Sequence, residues 1–287
     1  MLAVYKKELR SYFTSVIGYL FIAFILVLIG IYFTAYNINS AYPKIEVTLS
    51  AVTFVFLIGV PVLTMKILAE ERRQKTDQLL LTAPVSISSI VLGKYLALVT
   101  IYCIPIAIIS FYPLILSQYG DVSFSSAYTA IVGFFFLGCA NLAIGVFLSA
   151  ITESQVIAAV LSFLVLFFCY VIEGISSFFA STASVSYFAL AVIAAALAWL
   201  LYLMIRNAFI SLIFAILAEG VLLVLYVVKA SLFEGLIQDI LNVFNLSGHY
   251  DNFINGIFDI GGIVYFLSVI AFCIFLTVQS ISKRRWN

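Results

Sequence analysis

Eight apolar runs, each close to the length that crosses a bilayer, constrain this chain more than any other feature. They fall at about 16–36, 50–68, 93–116, 127–151, 156–175, 185–205, 208–228 and 262–281. About 20 apolar residues cross about 30 Å of hydrocarbon as a helix. An open strand in lipid would leave its backbone N–H and C=O groups unpaired, so each run is predicted to be helical. The chain has 287 residues, 65% hydrophobic and only 9% charged, whereas soluble domains carry roughly 25% charged residues. One water-facing core cannot hide that much apolar surface. The expected fold class is therefore all-α, a polytopic helical membrane protein with about eight transmembrane helices. Tyrosines and phenylalanines near many run ends fit anchoring at the membrane interface.

The placement of charge orients the spans. Twelve of the fourteen basic residues fall on one side: Lys6, Lys7, Arg10, Lys66, Arg72, Arg73, Lys75, Lys94, Arg206, Lys283, Arg284 and Arg285. Only Lys44 and Lys229 fall on the other. The positive-inside rule then places both termini and the loop at about 69–92 in the cytoplasm. A six-span reading with 185–228 kept as one buried hairpin gives the same orientation. The expected location is the cell membrane, multi-pass, of prokaryotic plasma-membrane type. The first run is long enough to remain in the membrane and does not read as a cleavable signal peptide. A net charge of +1 makes no case for a nucleic-acid partner.

Between and beside the spans lie three further segments. In residues 1–14, Leu2, Tyr5, Leu9, Tyr12 and Phe13 recur at helical spacing, with Lys6, Lys7, Glu8 and Arg10 opposite. That pattern predicts an amphipathic helix lying in the membrane interface. The remaining 15–287 reads as a single transmembrane domain. Within it, the outer segment at about 229–261 carries a stripe of Phe233, Leu236, Ile237, Ile240, Leu241 and Phe244. Glu234, Gln238, Asp239, Asn242 and Asn245 face away, so a second interfacial helix is expected there.

Most catalytic chemistry lacks its residues. No phosphate-binding G-x-x-x-x-G-K-[ST] loop occurs, nor H-E-x-x-H or G-x-S-x-G. His249 is the only histidine, and Cys103, Cys139, Cys169 and Cys273 all sit inside apolar runs without metal-ligand or disulfide spacing. No catalytic residue, metal site or cofactor is expected on this chain. Two carboxylates stand out within the spans. Glu219 falls near the middle of the 208–228 run, where a charge is costly unless protonated, paired or wetted, and Glu173 falls near the outer end of its span.

The informative segment is the loop at 69–92. Glu70, Glu71, Arg72, Arg73 and Lys75 are followed by Thr76, Asp77, Leu79, Leu80, Leu81, Pro84 and Val85. Proline disfavours helical geometry in the residue before it, so the pattern predicts a charged helix ending in a proline-stopped apolar knob. Such a knob can dock into a groove on a soluble partner, with leucines as anchors and charges setting register. An ordinary charged loop obeying the positive-inside rule is the other reading.

The same segment, E-E-R-R-x-x-T-x-x-L-L-L-T-x-P-V-S followed by I-V-L-G-K-Y-L-A-L, resembles the loop between the second and third spans of ABC-transporter permeases of the type-2 exporter class. The likeness is closest to the gliding-motility-associated group. The opening V-Y-K-K-E-L-R-S-Y-F-x-S-x-x-G-Y resembles that family's elbow helix, and T-E-S-Q-V-I-A-A-V at 152–160 its short cytoplasmic link. H-Y-D-N-F-x-x-G-I-F-D and the terminal K-R-R-W resemble its last outer segment and tail. The likeness covers about 1–178 and 240–287.

This resemblance implies a six-span exporter plan, with 185–228 as an added hairpin. It implies partnership with cytoplasmic ABC ATPase subunits, which would carry ATP and Mg, and with a second permease copy or a paralogue. Glu70, Glu71, Arg72, Arg73, Thr76 and Asp77 would contact the ATPase, and Leu79, Leu80, Pro84 and Val85 would shape the tip. Glu8 and Arg10, with Thr152, Glu153 and Gln155, are weaker candidates for the same surface. The function implied is export by alternating access powered by the separate ATPase, the spans opening a path outward or into the outer leaflet; the lack of a charged cavity in the spans points to an apolar or amphipathic substrate. Two other classes stay open: a non-transporting complex that passes ATPase strokes to an outer accessory subunit through 229–261, and a membrane-embedded lipid-modifying enzyme.

Overall fold

A computed structural model describes residues 1–76 and 85–285. Among the described residues the regular structure is helical throughout. In chain order the helices are α1 Leu2–Thr14, α2 Val16–Tyr32 continued by a π-helix Phe33–Asn39, α3 Ile45–Ala51, α4 Val55–Thr64 and α5 Ala69–Arg73. Then come α6 Ile87–Ile109, α7 Tyr112–Leu116, α8 Phe124–Ile151, α9 Gln155–Ser177, α10 Ala183–Ile205 and α11 Ala208–Val228. A 3₁₀ turn Ala230–Phe233 leads to α12 Leu236–Asn242, α13 Gly248–Ile254 and α14 Ile260–Arg285. Among the described residues, seven helical stretches are long and apolar enough to cross a membrane, and α3 with the helix from Val55 forms an eighth if the pair, bent by 62°, is one span. Seven of the eight predicted runs thus coincide with such helices, and the run at 50–68 falls on the bent pair.

The bend has a local cause. Residues 52–54 form 3₁₀-type bonds, with Thr53 N–H donating to Ser50 O at 3.2 Å and Val55 N–H to Val52 O at 2.9 Å. The Thr53 hydroxyl also donates to Ser50 O at 2.9 Å. A threonine that back-bonds to the preceding turn competes with the helical ladder and bends the helix. Upstream, buried Asn37 closes the connection from α2 to α3. Its amide donates to Tyr42 O at 2.7 Å and Lys44 O at 3.0 Å, and its oxygen accepts from the Thr48 hydroxyl at 2.5 Å.

The chain forms two compact units, residues 1–170 with 246–287 and residues 171–245. In the first, α8 is the central post, packed by α3, α4, α6, α13 and α14. A helix apolar all round belongs in such a position. Packing and interhelical hydrogen bonds, rather than escape from water, hold helices together in lipid. Three tyrosine hydroxyls supply such bonds to α8 carbonyls: Tyr95 to Cys139 O at 3.1 Å, Tyr102 to Phe134 O at 2.8 Å and Tyr250 to Ala130 O at 3.2 Å.

The second unit is built on the α10–α11 hairpin. Arg206 takes a left-handed conformation, φ +51°, to turn the chain. Asn207 then caps α11, its side-chain oxygen accepting from Phe209 N–H at 3.1 Å. Tyr187, Tyr226 and Phe233 pack as an aromatic cluster, with the Tyr187 and Tyr226 ring centroids 4.8 Å apart. The outer segment differs from expectation. It is not one amphipathic helix: the chain turns left-handed at Gly235 (φ +75°), leaving the 3₁₀ turn and two seven-residue helices. Phe233 and Ile237 are buried, whereas Ile240 and Phe244 of the predicted stripe are exposed.

Gly138 on α8 shows how tight the first unit is. A Cβ there would lie 2.3 Å from Cζ of Tyr102, a fully buried ring. Gly138→Ala is expected to cost about 1–3 kcal/mol through overpacking, read as a lower melting midpoint of the purified protein. Gly30, where a Cβ would meet nothing within 4 Å, should accept alanine without loss; equal midpoints for the two variants would contradict this packing.

Candidate functional site

Four charged side chains from three parts of the chain meet at one end of the first unit. Lys94, in the first half of α6, is completely buried. An ammonium has three N–H donors and no acceptor, and each donor of Lys94 has a partner. Its Nζ lies 2.9 Å from Glu8 Oε1 of α1, 2.9 Å from Glu71 Oε1 of α5 and 3.0 Å from Ile67 O. Lys7 adds a second cation, with Nζ 3.1 Å from Glu71 Oε1 and 3.6 Å from Glu8 Oε1. Two ammonium groups and two carboxylates thus alternate around a neutral square. Partial burial opposes the charge on Lys7, but the carboxylates of Glu71 and Glu8 outweigh it and hold its pKa above the ordinary lysine value.

Neighbouring bonds fix the same corner. The Tyr12 hydroxyl donates to Leu63 O at 2.9 Å, tying α1 to the end of α4. Ser149 near the end of α8 accepts from Leu68 N–H at 3.3 Å and Ala69 N–H at 3.2 Å, and donates to Met65 O at 3.3 Å. Arg72 donates through Nη1 to Ala150 O, and its Nη2 lies 3.5 Å from Glu153 Oε1. A guanidinium on the last carbonyls of a helix satisfies an orphan acceptor and complements the helix dipole. A cleft of about 300 Å³ opens beside the cluster, with Lys7, Ser11, Lys66, Glu70, Glu71 and Gln74 on its wall.

Of the residues singled out from sequence, Glu8, Glu70, Glu71, Arg72, Thr76 and Glu153 meet at or beside this corner. Glu70 is half-buried, 3.4 Å from Lys66 and accepting from the Gln74 amide at 3.1 Å. Arg73, Thr76, Val85 and Arg10 are exposed. Thr152 and Gln155 are half-buried at the α8–α9 link, and Glu153 is exposed at the far end of the Arg72 pair. Asp77, Leu79, Leu80 and Pro84 lie outside the described residues. The charged helix before them is short, ending at Arg73, with Lys75 in a left-handed conformation at φ +57°. Glu173 and Glu219 lie elsewhere, in the second unit, the first exposed and the second half-buried.

Two expectations change here. Glu8 does not share the outward polar face of α1; it is 7% exposed and turned onto Lys94. Arg72 is half-buried and spent on α8, whereas Arg73 presents its charge outward. The hub itself, Lys94, stood in the sequence as a basic residue within an apolar run, a pattern that calls for a buried counter-charge. Glu46 was also passed over. It is buried in the first turn of α3, and its Oε2 has no hydrogen-bond partner among the described residues.

Removing one partner of a buried pair strands the others, at a cost of about 3–5 kcal/mol. Lys94→Met is therefore expected to destabilise the protein strongly and to expose residues 1–14 to protease. Adding Glu8→Leu should recover part of that loss, because one stranded carboxylate is removed. A double variant that is simply the sum of the single ones would show that the two side chains do not interact.

A family model described as ABC-2 family transporter protein matches residues 5–215. That stretch includes most of α1, the loop, Lys94, and the end of α8 with the link to Glu153. A comparison with curated proteins gives no match. The chain belongs to the ABC-2 transporter family and is the membrane-spanning permease component of an ABC transporter, a type of component that associates with an ABC ATPase subunit.

Proposed function

We propose that this permease is the transmembrane part of an ATP-driven exporter, and that the Lys94 cluster passes the ATPase stroke from the 69–92 loop into the spans. The carrying observation is that one buried ammonium holds Glu8 of α1 and Glu71 of α5 at the same distance, 2.9 Å. With Arg72 on the end of α8 as well, the base of the loop cannot shift without moving α1, α6 and α8. In this reading a cytoplasmic ATPase grips the loop beyond Arg73, and its closure on ATP rocks these helices together. The spans alternate between two arrangements, and the permease contributes differential affinity for its cargo rather than chemistry. Both termini lie in the cytoplasm, a second permease copy or a paralogue completes the pathway, and the cargo is apolar or amphipathic.

The exposed and the inward arginine separate grip from framework. Arg73→Glu should lower recovery of the co-expressed ATPase in a pull-down while leaving the permease's melting midpoint unchanged. Arg72→Glu should lower the midpoint itself, because it places a carboxylate against Ala150 O and Glu153. Undiminished ATPase recovery with Arg73→Glu would count against the grip. Labelling of R73C by an impermeant thiol reagent from the outer face alone would overturn the orientation and the mechanism with it.

A further inference from the structure

Near the middle of α8, Asn141 is only 7% exposed. An amide has two donors and an acceptor to satisfy, and an apolar interior penalises each that stays unmet. The side chain lines a slot of about 20 Å³ in the first unit, room for one water-sized group. Thr53, Tyr170 and Ser247 also line it, together with Phe56 and Leu137. Thr53 belongs to the 52–54 break between α3 and α4. Irregular backbone at membrane depth is tolerated where it is buried in protein or lines a cavity, and broken helices commonly build binding sites.

The lining chemistry defines what fits. Among the described residues, no carboxylate, ammonium or guanidinium reaches the slot. A charged head would shed its hydration there without a counter-charge. A hydroxyl or amide both donates and accepts, as Asn141 does. The slot holds little more than that one group, so the rest of the molecule must lie outside it. Tyr170, which lines the slot, is 40% exposed and continues an exposed aromatic stripe with Phe163 and Phe167 along α9. These three positions share one helix face.

We propose that the slot grips the transported molecule by a neutral hydrogen-bonding head, with its apolar body lying along Phe163, Phe167 and Tyr170. This rests on the exporter reading and names its cargo as an uncharged amphiphile.

Two photoprobes of equal chain length test it on the full permease in nanodiscs: a dodecanol carrying a diazirine near its head, and the sulfate ester of the same molecule. The alcohol should label peptides containing Asn141 or Tyr170, and the sulfate should label them far less. Asn141→Leu should cut alcohol labelling about tenfold, the worth of roughly one hydrogen bond, and Asn141→Ser should restore part of it. Tyr170→Phe, at a partly exposed position, should also reduce labelling, and it carries the test if Asn141→Leu lowers the melting midpoint. Equal labelling by alcohol and sulfate, or alcohol labelling indifferent to both Asn141→Leu and Tyr170→Phe, would overturn the site and leave the slot to water. No ATPase is needed for this assay. A slot that labels as expected in a permease whose ATPase neither binds nor hydrolyses ATP in response to the alcohol would sink the exporter reading and spare the site.

Discussion

An ammonium group in an apolar interior must give up its proton, reach water or gather acceptors around it. Lys94 takes the last course, and the geometry of the surrounding corner follows. Its three acceptors come from α1, from the turn after α4 and from α5, so one charge specifies where three separate segments meet. Lys7 then balances the second carboxylate, leaving the group neutral at the edge of the spans. Arg72 applies the same logic a few residues on, satisfying the end of α8 with a charge that has no cheaper place to go.

These contacts divide the labour along the chain. The spans supply a packed frame around α8, held by tyrosine hydroxyls on its carbonyls and by side chains that fill the space left at Gly138. The ionic corner joins that frame to the loop. Apolar packing resists deformation in every direction, whereas the ion pairs are specific to one pairing of segments. Among the described residues, Lys94, Arg72 and Ser149 tie the base of the loop to α1, α6 and α8.

The sequence exposed those features that lipid itself demands. The eight apolar runs had to be helical, and they are; seven match a helix long and apolar enough to cross a membrane, to within a few residues at most ends. The bent span is the instructive miss. Its run is predicted to start at residue 50, yet the helix begins at Ile45, with Glu46 buried in its first turn. The break at 52–54 has no glycine or proline to announce it; it arises from a threonine hydroxyl bonding back to Ser50. Glu8 looked like part of a solvated face because periodicity sees polarity and not partners. Its partner is 86 residues away, a separation no local pattern can report. Asn141 likewise reads as one polar letter in an apolar helix until the cavity beside it is known. The left-handed turn at Gly235 explains why a convincing apolar stripe did not become a single helix.

Ser149 carries a consequence for how the molecule is made. Its hydroxyl is what the turn at Met65–Ala69 bonds to, yet it lies 81 residues downstream of Leu68. Chains emerge from the ribosome N-terminus first, so α4 and α5 leave it well before the end of α8 exists. Until then the turn has no protein partner for those backbone groups, and the base of the loop is unfinished. The base of the 69–92 loop can therefore be completed only after α8 has been made, which builds an order of assembly into a single hydroxyl group.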